Sequence, residues 1–505
     1  MTVAELLRGL ESAGVAPEAT ALTAAAGNAT GVAYDSRRVV PGAVFVALRG
    51  QQDDGARHAP QAVARGAAAI VAETPPPSGS DVPWVVVNDA RLALARLADE
   101  FYGHPSRSLR LVGITGTNGK TTTAYLLRAI FEAAGERCGL MGTVVYSVGT
   151  EDREATRTTP EAPDVQRMLR EMVDNGCQAA VMEVSSHALA LKRVDGLRFA
   201  AGVFSNLTRD HLDFHGDMEA YFAAKRRLFE LMPADAPAVV NLDDPRGATL
   251  QALAGRPVTY AMTHAADVTP EPFSYSLSGL SFVARTPRGP IQVRSTLVGQ
   301  PNVSNLLAAV ATADALGIAH DAIEAGIATL PGVPGRFEVV SAPTDDIAVV
   351  VDYAHTDDAL KNLLETARPL APGRVVTVFG CGGDRDRTKR PLMGAVAGRL
   401  SDVVVLTSDN PRSEDPERII DEIVRGLDPT PEPGAPRRAG TPYLRIRDRR
   451  EAIEQAIRTA QPGDLVLVAG KGHEKYQVIG ERTLPFDDVE VARAALAQRR
   501  STSRV

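Results

Sequence analysis

The chain contains 505 residues, which is long enough for about three domains. Its composition, with 44% hydrophobic and 23% charged residues, is typical of a globular enzyme. A net charge of −7 argues against a general nucleic-acid-binding surface, and no apolar run approaches the ~20 residues that span a bilayer. Three widely spaced cysteines and an N-terminus without a signal-peptide pattern predict a cytoplasmic protein. From the charge and the lack of a long apolar run, we expect it to bind neither nucleic acid nor membranes.

The beginning of the chain is predicted to form a small α/β domain over residues 1–106. Short apolar strands are expected at 43–48, 67–72 and 84–87, with helical segments between them. A loop rich in proline, glycine and serine at 74–80 separates two of these strands.

A glycine-rich segment opens the predicted central domain, residues 107–330. Residues 113–123 read Gly-Ile-Thr-Gly-Thr-Asn-Gly-Lys-Thr-Thr-Thr, with glycines at 113 and 116, between an expected strand at 109–112 and an expected helix at 121–134. Glycines let backbone N–H groups face a phosphate, the lysine supplies charge, and a threonine hydroxyl can hold Mg²⁺. The usual phosphate-loop spacing is not matched, because Ile114 stands where that pattern has glycine. A plain strand–helix turn is the alternative interpretation. The predicted ATP-binding residues of this loop are Gly116, Thr117, Asn118, Gly119, Lys120, Thr121 and Thr122.

Two further apolar strands of the central domain end in polar residues. The strand expected at 179–182 is followed by Glu183, and the strand expected at 200–204 is followed by a polar run at 205–215. The carboxyl ends of parallel strands share one sheet edge, so both groups are expected beside the phosphate loop. Glu183 suits Mg²⁺, although a strand-end carboxylate on the surface is the alternative. The histidines of the polar run also allow a zinc site, which the lack of a third nearby ligand disfavours.

Lys225 is expected on an apolar helix face. It lies three or four residues from Tyr221, Phe222, Leu228 and Phe229. A buried ammonium tends to lose its proton, and a neutral lysine can react with CO₂ to form a carbamate able to hold Mg²⁺. The alternative is a lysine whose ammonium reaches solvent, and the residues alone leave both open.

The remainder of the chain, residues 331–505, is predicted to form a third, Rossmann-like domain. Apolar strands expected at 347–351, 375–379, 403–406 and 465–469 each lead into a polar loop. The predicted fold class is therefore α/β in three domains, with a central phosphate-loop ATPase sheet. The loop arginines suited to a carboxylate or phosphate are Arg336, Arg385 and Arg412.

Several motifs of the chain occur together in one order. They include Gly-Thr-Asn-Gly-Lys-Thr-Thr, Glu-Val-Ser-Ser-His, Asn-Leu-Thr-Arg-Asp-His-Leu-Asp-Phe-His, Gly-Arg-Phe-Glu, Asp-Tyr-Ala-His-Thr and Asp-Asn-Pro-Arg. In these motifs the chain resembles the Mur ligase family, most closely the members that add the third amino acid to the UDP-N-acetylmuramoyl dipeptide. The resemblance implies a uridine-binding domain, a central ATPase and a C-terminal amino-acid-binding domain. It also implies ATP, Mg²⁺ and an acyl-phosphate intermediate in peptidoglycan precursor synthesis.

The resemblance implies roles for individual residues. The implied catalytic residues are Lys120, Glu183, His211 and Lys225, the last as N6-carboxylysine, and Mg²⁺ would lie near Thr121, Glu183, His211 and this carbamate. Asn302, Arg336 and Asp352 join the loop residues at ATP. The UDP-substrate set is Ser36, Gln51, Gln52, Asp53, Thr158, Thr159, Ser185 and Arg193. The amino-acid set is Arg385, Asp409, Asn410, Pro411, Arg412, Gly470 and Glu474. Leu191 and residues 51–53 depart from the pattern of some relatives, which leaves the uridine contacts open.

The expected incoming amino acid is diaminopimelate, taken to be the meso isomer although the LL isomer carries the same distal carboxylate. Lysine-adding relatives lack an arginine at the position of Arg412, and a guanidinium there can pair with that carboxylate. A folylpolyglutamate synthase, a phosphate-loop binding protein or kinase, and an inactive paralogue are the alternatives. The expected partners are small-molecule substrates, and the expected state is a monomer.

Overall fold

The protein is described from a computed structural model that covers residues 1–12, 27–50, 53–78, 82–427 and 441–502. Its α/β architecture, with separate N-terminal, central and C-terminal sheets, confirms the predicted fold class. No helix in these ranges is both long and apolar enough to cross a bilayer. The proposed domain limits at 106/107 and 330/331 remain predictions.

The N-terminal sheet has four parallel strands in the order β1-β2-β3-β4. Its strands are close to the predicted ones but shorter, and part of the predicted loop at 74–80 lies outside the described residues. The elements are α1 (Val3–Ser12), β1 (Val32–Ala33), β2 (Val44–Val46), α2 (Ala59–Ala64), β3 (Ala69–Ala72), β4 (Trp84–Val86) and α3 (Ala90–Phe101).

The central sheet has eight strands in the order β12-β11-β10-β5-β9-β6-β7-β8, and a smaller antiparallel sheet follows it in the chain. The first half of this region contains β5 (Arg110–Thr115), α4 (Lys120–Ala133), β6 (Cys138–Met141), β7 (Val145–Val148), β8 (Glu151–Glu154), α5 (Ala162–Asp174), β9 (Ala179–Glu183), α6 (Ser186–Ala190) and β10 (Ala201–Phe204). The second half contains α7 (Leu212–His215), α8 (Met218–Glu230), β11 (Pro237–Asn241), α9 (Gly247–Leu253), β12 (Arg256–Tyr260), β13 (Thr269–Pro270), β14 (Ser274–Ser276), β15 (Gly279–Arg285), β16 (Ile291–Ser295), α10 (Gln300–Ala315) and α11 (His320–Thr329).

The strand that leads into the phosphate loop is longer than predicted. β5 continues to Thr115, so Gly113 belongs to the strand, and its predicted place in the loop is wrong. A Cβ atom at Gly113 would lie 2.7 Å from the ring of Phe199, so the glycine is needed for packing. β5 lies between β9 and β10 in parallel register, which brings the polar ends of all three strands to one edge of the sheet.

The C-terminal sheet has six strands in the order β17-β18-β22-β19-β20-β21 and is mainly parallel. The predicted strands at 375–379, 403–406 and 465–469 are confirmed residue for residue. Buried valine and leucine side chains on both faces of these strands explain why continuous apolar runs identified them. The elements are β17 (Glu338–Val339), β18 (Ala348–Asp352), α12 (Asp357–Ala367), β19 (Val375–Phe379), α13 (Lys389–Leu400), β20 (Val403–Leu406), α14 (Pro416–Leu427), β21 (Tyr443–Arg445), α15 (Arg449–Thr459), β22 (Leu465–Ala469), β23 (Tyr476–Ile479), β24 (Arg482–Pro485) and α16 (Asp488–Thr502).

Candidate active site

The loop between β5 and α4 has a backbone that only glycine fits at two positions. Gly116 has a φ of 146° and Gly119 a φ of 88°, which side chains rarely adopt. A Cβ atom would lie 1.9 Å from Oγ of Ser205 at the first glycine and 2.3 Å from Oδ1 of Asn305 at the second. The loop therefore closes tightly over its neighbours and leads into the N-terminus of α4, where free N–H groups favour an anion.

Two lysines donate hydrogen bonds to the same carbonyl oxygen of this loop. Nζ of Lys120 lies 2.8 Å from the carbonyl oxygen of Gly116 and 2.8 Å from that of Thr117. Nζ of Lys225, on α8, lies 2.7 Å from the carbonyl oxygen of Gly116. Although 109 residues separate Lys225 from Gly116, the fold places both ammonium groups against one backbone atom.

The side chain of Lys225 is buried, with 1% of its surface exposed. The alternative in which its ammonium reaches solvent is therefore wrong. Nζ lies 4.4 Å from the centre of the Tyr221 ring, which solvates a cation weakly compared with water. Burial, followed by repulsion from Lys120, holds the pKa of Lys225 well below its ordinary value. A neutral amine is the form that reacts with CO₂, so the site meets the chemical requirement for the predicted carbamate.

Glu183 is buried at the end of β9, beside the phosphate loop. Its Oε1 accepts a hydrogen bond of 2.9 Å from the backbone N–H of Thr143, and its Oε2 accepts one of 3.1 Å from the hydroxyl of the same residue. That hydroxyl also lies 3.1 Å from Oγ1 of Thr158. The alternative of a carboxylate on the surface is wrong, because 1% of Glu183 is exposed.

His211 follows β10 and adopts a left-handed φ of 54°. Desolvation lowers its pKa to about 4 despite the opposing effect of Asp210, although 44% of its side chain is exposed, and the imidazole is neutral near pH 7. Its ring makes an edge contact with His187, at 4.8 Å between ring centres. Within the described ranges, no three histidine, cysteine, aspartate or glutamate side chains are arranged to hold a metal ion, which leaves a zinc site without support.

A cavity of about 300 Å³ opens between the phosphate loop and the C-terminal domain. Most of the residues predicted at ATP and Mg²⁺ line it. They are Thr117, Asn118, Gly119, Lys120, Thr121, Thr122, Glu183, His211, Asn302, Arg336 and Asp352, together with Thr158 and Ser185 from the UDP-substrate set. Gly116, which belongs to the loop, and Lys225, which donates to its carbonyl oxygen from behind the loop, are not among the lining residues.

The C-terminal domain contributes Arg336 and Asp352 to this cavity. Nη2 of Arg336 donates to Oγ1 of Thr121 at 3.2 Å, and the guanidinium lies 4.5 Å from the centre of the Tyr353 ring. The Asp352 carboxylate accepts from the backbone N–H groups of Phe337 and Ala354, at 2.6 and 2.7 Å. Burial raises the pKa of Asp352, the effect of Arg336 opposing it. These contacts fix the wall opposite the loop.

A second cavity, of about 520 Å³, adjoins the first and lies above the strand ends of the C-terminal sheet. The two cavities have five residues in common: Asp210, His211, Tyr353, His355 and Thr356. The predicted amino-acid-binding residues that line the second cavity are Arg385, Asp409, Asn410, Arg412, Gly470 and Glu474, whereas Pro411 does not line it.

Arg412 has a left-handed backbone, with a φ of 52°. Its Nη1 donates to the carbonyl oxygen of Gly383 at 2.7 Å, and its backbone N–H donates to that of Val478 at 3.1 Å. Nη1 of Arg385 donates to the carbonyl oxygen of Asp384 at 3.1 Å. Neither guanidinium forms an ion pair with a carboxylate in the described part of the chain, so both retain N–H groups for a ligand.

Within the UDP-substrate set, Ser36 and Asp53 of the N-terminal domain line neither cavity. Oγ of Ser36 donates to Gln61 at 2.6 Å, and the Asp53 carboxylate contacts His58 at 2.6 Å, both within the N-terminal domain. Gln51 and Gln52 lie outside the described residues.

Three other residues of the UDP-substrate set, Thr159, Ser185 and Arg193, are connected to one another by hydrogen bonds. Oγ1 of Thr159 lies 3.3 Å from Oγ of Ser185, and Nη1 of Arg193 donates to the carbonyl oxygen of Thr159 at 2.9 Å. Arg193 also pairs with Glu161, at 2.7 Å.

Sequence reasoning did not single out several residues at these cavities. Asp210, Tyr353 and His355 form the shared wall, Thr143 holds Glu183, and Lys471 lies beneath the second cavity. Each of these residues except Thr143 stands inside a quoted motif or strand-end loop, which was the only signal available.

Three domain models of one protein family match the chain. The Mur ligase middle domain model matches residues 114–313, the Mur ligase glutamate ligase domain model matches 335–472, and the catalytic domain model of the Mur ligase family matches 28–102.

Two curated relatives are UDP-N-acetylmuramoyl-L-alanyl-D-glutamate–2,6-diaminopimelate ligases. The one from Gloeobacter violaceus is 49% identical over 93% of this chain and 94% of its own, and the one from Geobacter metallireducens gives the same three values. A solved structure of a ligase with the same name is 37% identical, with a TM-score of 0.65 over 94% of this chain and 96% of that one. The MurF ligase from Thermotoga maritima, solved in complex with ADP, is 20% identical with a TM-score of 0.61 over 94% of this chain and 98% of that one, and it shares the fold. The chain belongs to the Mur ligase family.

Proposed function

We propose that the protein is an ATP-dependent ligase that joins meso-2,6-diaminopimelate to UDP-N-acetylmuramoyl-L-alanyl-D-glutamate. The observation that carries the proposal is the pair of adjoining cavities with a common wall, one beneath the phosphate loop and the other among loop arginines and carboxylates. A ligase that activates one substrate with ATP and then joins it to an amine requires two such neighbouring sites. The names of the curated relatives supply the substrates.

The first step is phosphoryl transfer. An oxygen of the D-glutamyl side-chain carboxylate attacks the γ-phosphorus of ATP, ADP leaves, and an acyl-phosphate forms. Lys120 and the N–H groups at the start of α4 stabilise the negative charge of the transferred group, because they already face the cavity before the reaction. Arg336, held over Tyr353 and against Thr121, adds a second cation from the opposite wall.

The second step is amide formation. The amine of diaminopimelate attacks the acyl carbon, a tetrahedral intermediate forms, phosphate leaves, and the nitrogen releases a proton. Asp210, His211 and His355 lie where the two cavities meet, and the acyl-phosphate and the amine would meet there too. Enclosure of this junction by both domains protects the acyl-phosphate from water.

Residues suited to Mg²⁺ are present on the loop side. Glu183 offers a buried carboxylate and Thr121 a hydroxyl, both at the cavity, and these hard oxygen donors fit this ion. A carbamate on Lys225 would add an anion behind the loop, and the neutral imidazole of His211 lines the same cavity. When bound, Mg²⁺ neutralises charge on the phosphates of ATP.

The second cavity favours diaminopimelate over lysine. The two differ in the distal carboxylate, and among the described residues that line this cavity Arg385, Lys389 and Arg412 are cations without a carboxylate partner. Nζ of Lys389 donates to the carbonyl oxygen of His355 at 2.8 Å, whereas the two guanidinium groups offer paired N–H donors that match a carboxylate. With lysine bound, a desolvated guanidinium would lack its partner.

The proposal also includes the state and location of the protein, a monomer in the cytoplasm. The three cysteines are buried and none forms a disulfide, and in the cytoplasm they would stay reduced.

The test is an assay of the purified chain with ATP, Mg²⁺, the UDP-dipeptide and a panel of amines: meso- and LL-diaminopimelate, lysine and glutamate. We expect phosphate release and a new amide, identified by mass, only when the UDP-dipeptide and meso-diaminopimelate are both present. Equal use of lysine would contradict the substrate assignment. Phosphate transfer without an amide would favour a kinase. In a parallel assay with a folate in place of the UDP-dipeptide, addition of glutamate to the folate would favour a folylpolyglutamate synthase.

A further inference from the structure

Lys471 is a buried lysine directly beneath the amino-acid cavity. It follows β22, and 0% of its side chain is exposed. Nζ lies 3.0 Å from Oδ1 of Asn410, 3.4 Å from Oδ1 of Asp409 and 3.4 Å from Oε2 of Glu474. An ammonium is taken out of water at great cost unless it is paired, so these contacts are what keeps it there.

The backbone around Lys471 fixes its position. Gly470 has a φ of 116° and Gly472 a φ of 52°, so the chain turns on both sides of the lysine. A Cβ atom at Gly470 would lie 2.8 Å from Oδ2 of Asp409, and one at Gly472 would lie 2.7 Å from Cβ of Tyr353. The two glycines allow the loop to approach the cavity wall closely enough for Nζ to reach both carboxylates.

Within the described part of the chain, each carboxylate keeps one oxygen free of protein donors. Lys471 and Nδ2 of Asn410 both donate to Oε2 of Glu474, the amide at 2.9 Å. Among the described residues, none donates to Oε1 of Glu474 or to Oδ2 of Asp409. Both residues line the amino-acid cavity, so two carboxylate oxygens remain as acceptors for a ligand.

Asp409, Glu474 and Lys471 together carry a net charge of −1 when all three are ionised. Asp409 and Glu474 carry two negative charges and Lys471 one positive charge, so one ammonium of a bound zwitterion completes the balance. Without Lys471, two close carboxylates would repel each other and one would take up a proton.

The pKa of Glu474 depends on several neighbours. Burial raises it, Lys471 lowers it and Asp409 raises it again. Other charged or titratable groups that face Glu474 are Tyr353 after β18, Tyr476 on β23 and Arg449 on α15, with Arg412 beyond Tyr476.

We propose that Lys471 is a positioning residue for the incoming amino acid. It holds one oxygen of Asp409 and one of Glu474, keeps both groups ionised, and so presents their other oxygens to an ammonium group of diaminopimelate. The inference rests on the proposed function, because it takes the ligand of this cavity to be diaminopimelate.

The test compares Lys471→Met with Lys475→Met, a control on the same loop whose exposed ammonium lies 3.8 Å from Asp487. In Lys471→Met we expect the KM for diaminopimelate to rise about thirty-fold or more, with the KM for ATP unchanged. The acid limb of kcat/KM for diaminopimelate moves to higher pH, because Glu474 has lost the cation that lowers its pKa. Lys475→Met should match the unmodified protein in all three measurements.

Glu474→Gln removes one carboxylate that Lys471 holds and provides a test that leaves the lysine in place. The inference predicts that this variant loses the acid limb. Where Lys471→Met folds, adding it to Glu474→Gln should raise the KM for diaminopimelate less than Lys471→Met raises that of the unmodified protein. An unchanged KM and acid limb in Lys471→Met would overturn the inference, as would an acid limb that persists in Glu474→Gln. Failure of the proposed function looks different, since the unmodified protein would then form no amide with diaminopimelate.

Discussion

The phosphate loop and the amino-acid cavity surround their lysines in opposite ways. Lys120 and Lys225 donate to backbone carbonyl oxygens, and neither forms an ion pair with a carboxylate in the described part of the chain. Lys471, in contrast, pairs with two carboxylates. A carbonyl oxygen compensates a buried charge less than a carboxylate does.

The difference explains what each region can do. Burial lowers the pKa of both Lys120 and Lys225, so this region offers either a cation that gains from meeting a phosphate or a neutral amine that can react. The amino-acid cavity uses its buried lysine to arrange carboxylates instead. Lysines with carbonyl partners are therefore expected to act on ligands directly, and a lysine with carboxylate partners is expected to act through its neighbours.

The largest expected effect that tests this comparison comes from Lys120→Ala. We expect turnover to fall about 10²- to 10³-fold or more, because positioned charge supplies most of the catalysis in phosphoryl transfer. The measurement is phosphate release with both substrates, alongside the thermal midpoint. The matched control is Lys361→Ala, an exposed lysine on α12 paired with Glu365. Turnover within ten-fold of the unmodified protein would contradict the direct role.

Lys225→Ala tests whether the second lysine acts as a carbamate. We expect a loss of about 10²-fold, and partial recovery on adding a short carboxylate, which replaces the missing anion. Arg226→Ala, which removes an exposed neighbour paired with Glu230, should behave like the unmodified protein. Absence of rescue, together with absence of a mass increase by one CO₂ in protein kept in bicarbonate, would rule the carbamate out.

Arg412→Ala tests the balance of charge at the amino-acid cavity. We expect the KM for diaminopimelate to rise about thirty-fold and the preference over lysine to narrow, since the distal carboxylate loses its guanidinium. Steady-state kinetics with both amino acids measure this. Arg418→Ala, at an exposed position near the start of α14, is the control. Full selectivity in the Arg412 variant would place recognition of the carboxylate elsewhere.

The smallest effect is expected where the two regions meet through exposed charges. Arg209 lies 3.6 Å from Asp357 and 3.8 Å from Asp386, bridging the central and C-terminal domains. Partly exposed pairs contribute about 0.2–1 kcal/mol, so Arg209→Ala should lower kcat/KM only a few-fold. The loss should shrink in added salt. A loss as large as that of Lys120→Ala would show that this bridge organises the reaction.

Contiguous signals made much of the fold and of the nucleotide site predictable. The Gly116–Lys120 segment could be recognised from the sequence alone, because the residues expected to bind phosphate follow one another in the chain. Buried parallel strands were equally readable, since both of their faces are apolar.

Contacts between distant parts of the chain were not predictable. Helical spacing placed Lys225 on an apolar face but left open whether its ammonium is buried, and its bond to Gly116 depends on how α8 packs beside β5. Lys471 carried no apolar pattern at all, and its buried ammonium is paired with Asp409 on another loop as well as with Glu474 on its own loop. The wrong placement of Gly113 had the same origin, because the Phe199 ring that requires a glycine there lies 86 residues further along the chain.

The two glycines of the phosphate loop bear on drug resistance. A side chain at Gly116 or Gly119 would collide with Ser205 or Asn305 and would also require an unfavourable φ. An inhibitor that binds only the backbone of this loop would thus meet a surface that single substitutions alter only at the expense of the fold. One that relies on cavity side chains without a role in the reaction would have no such protection, because such residues can be exchanged without moving the backbone.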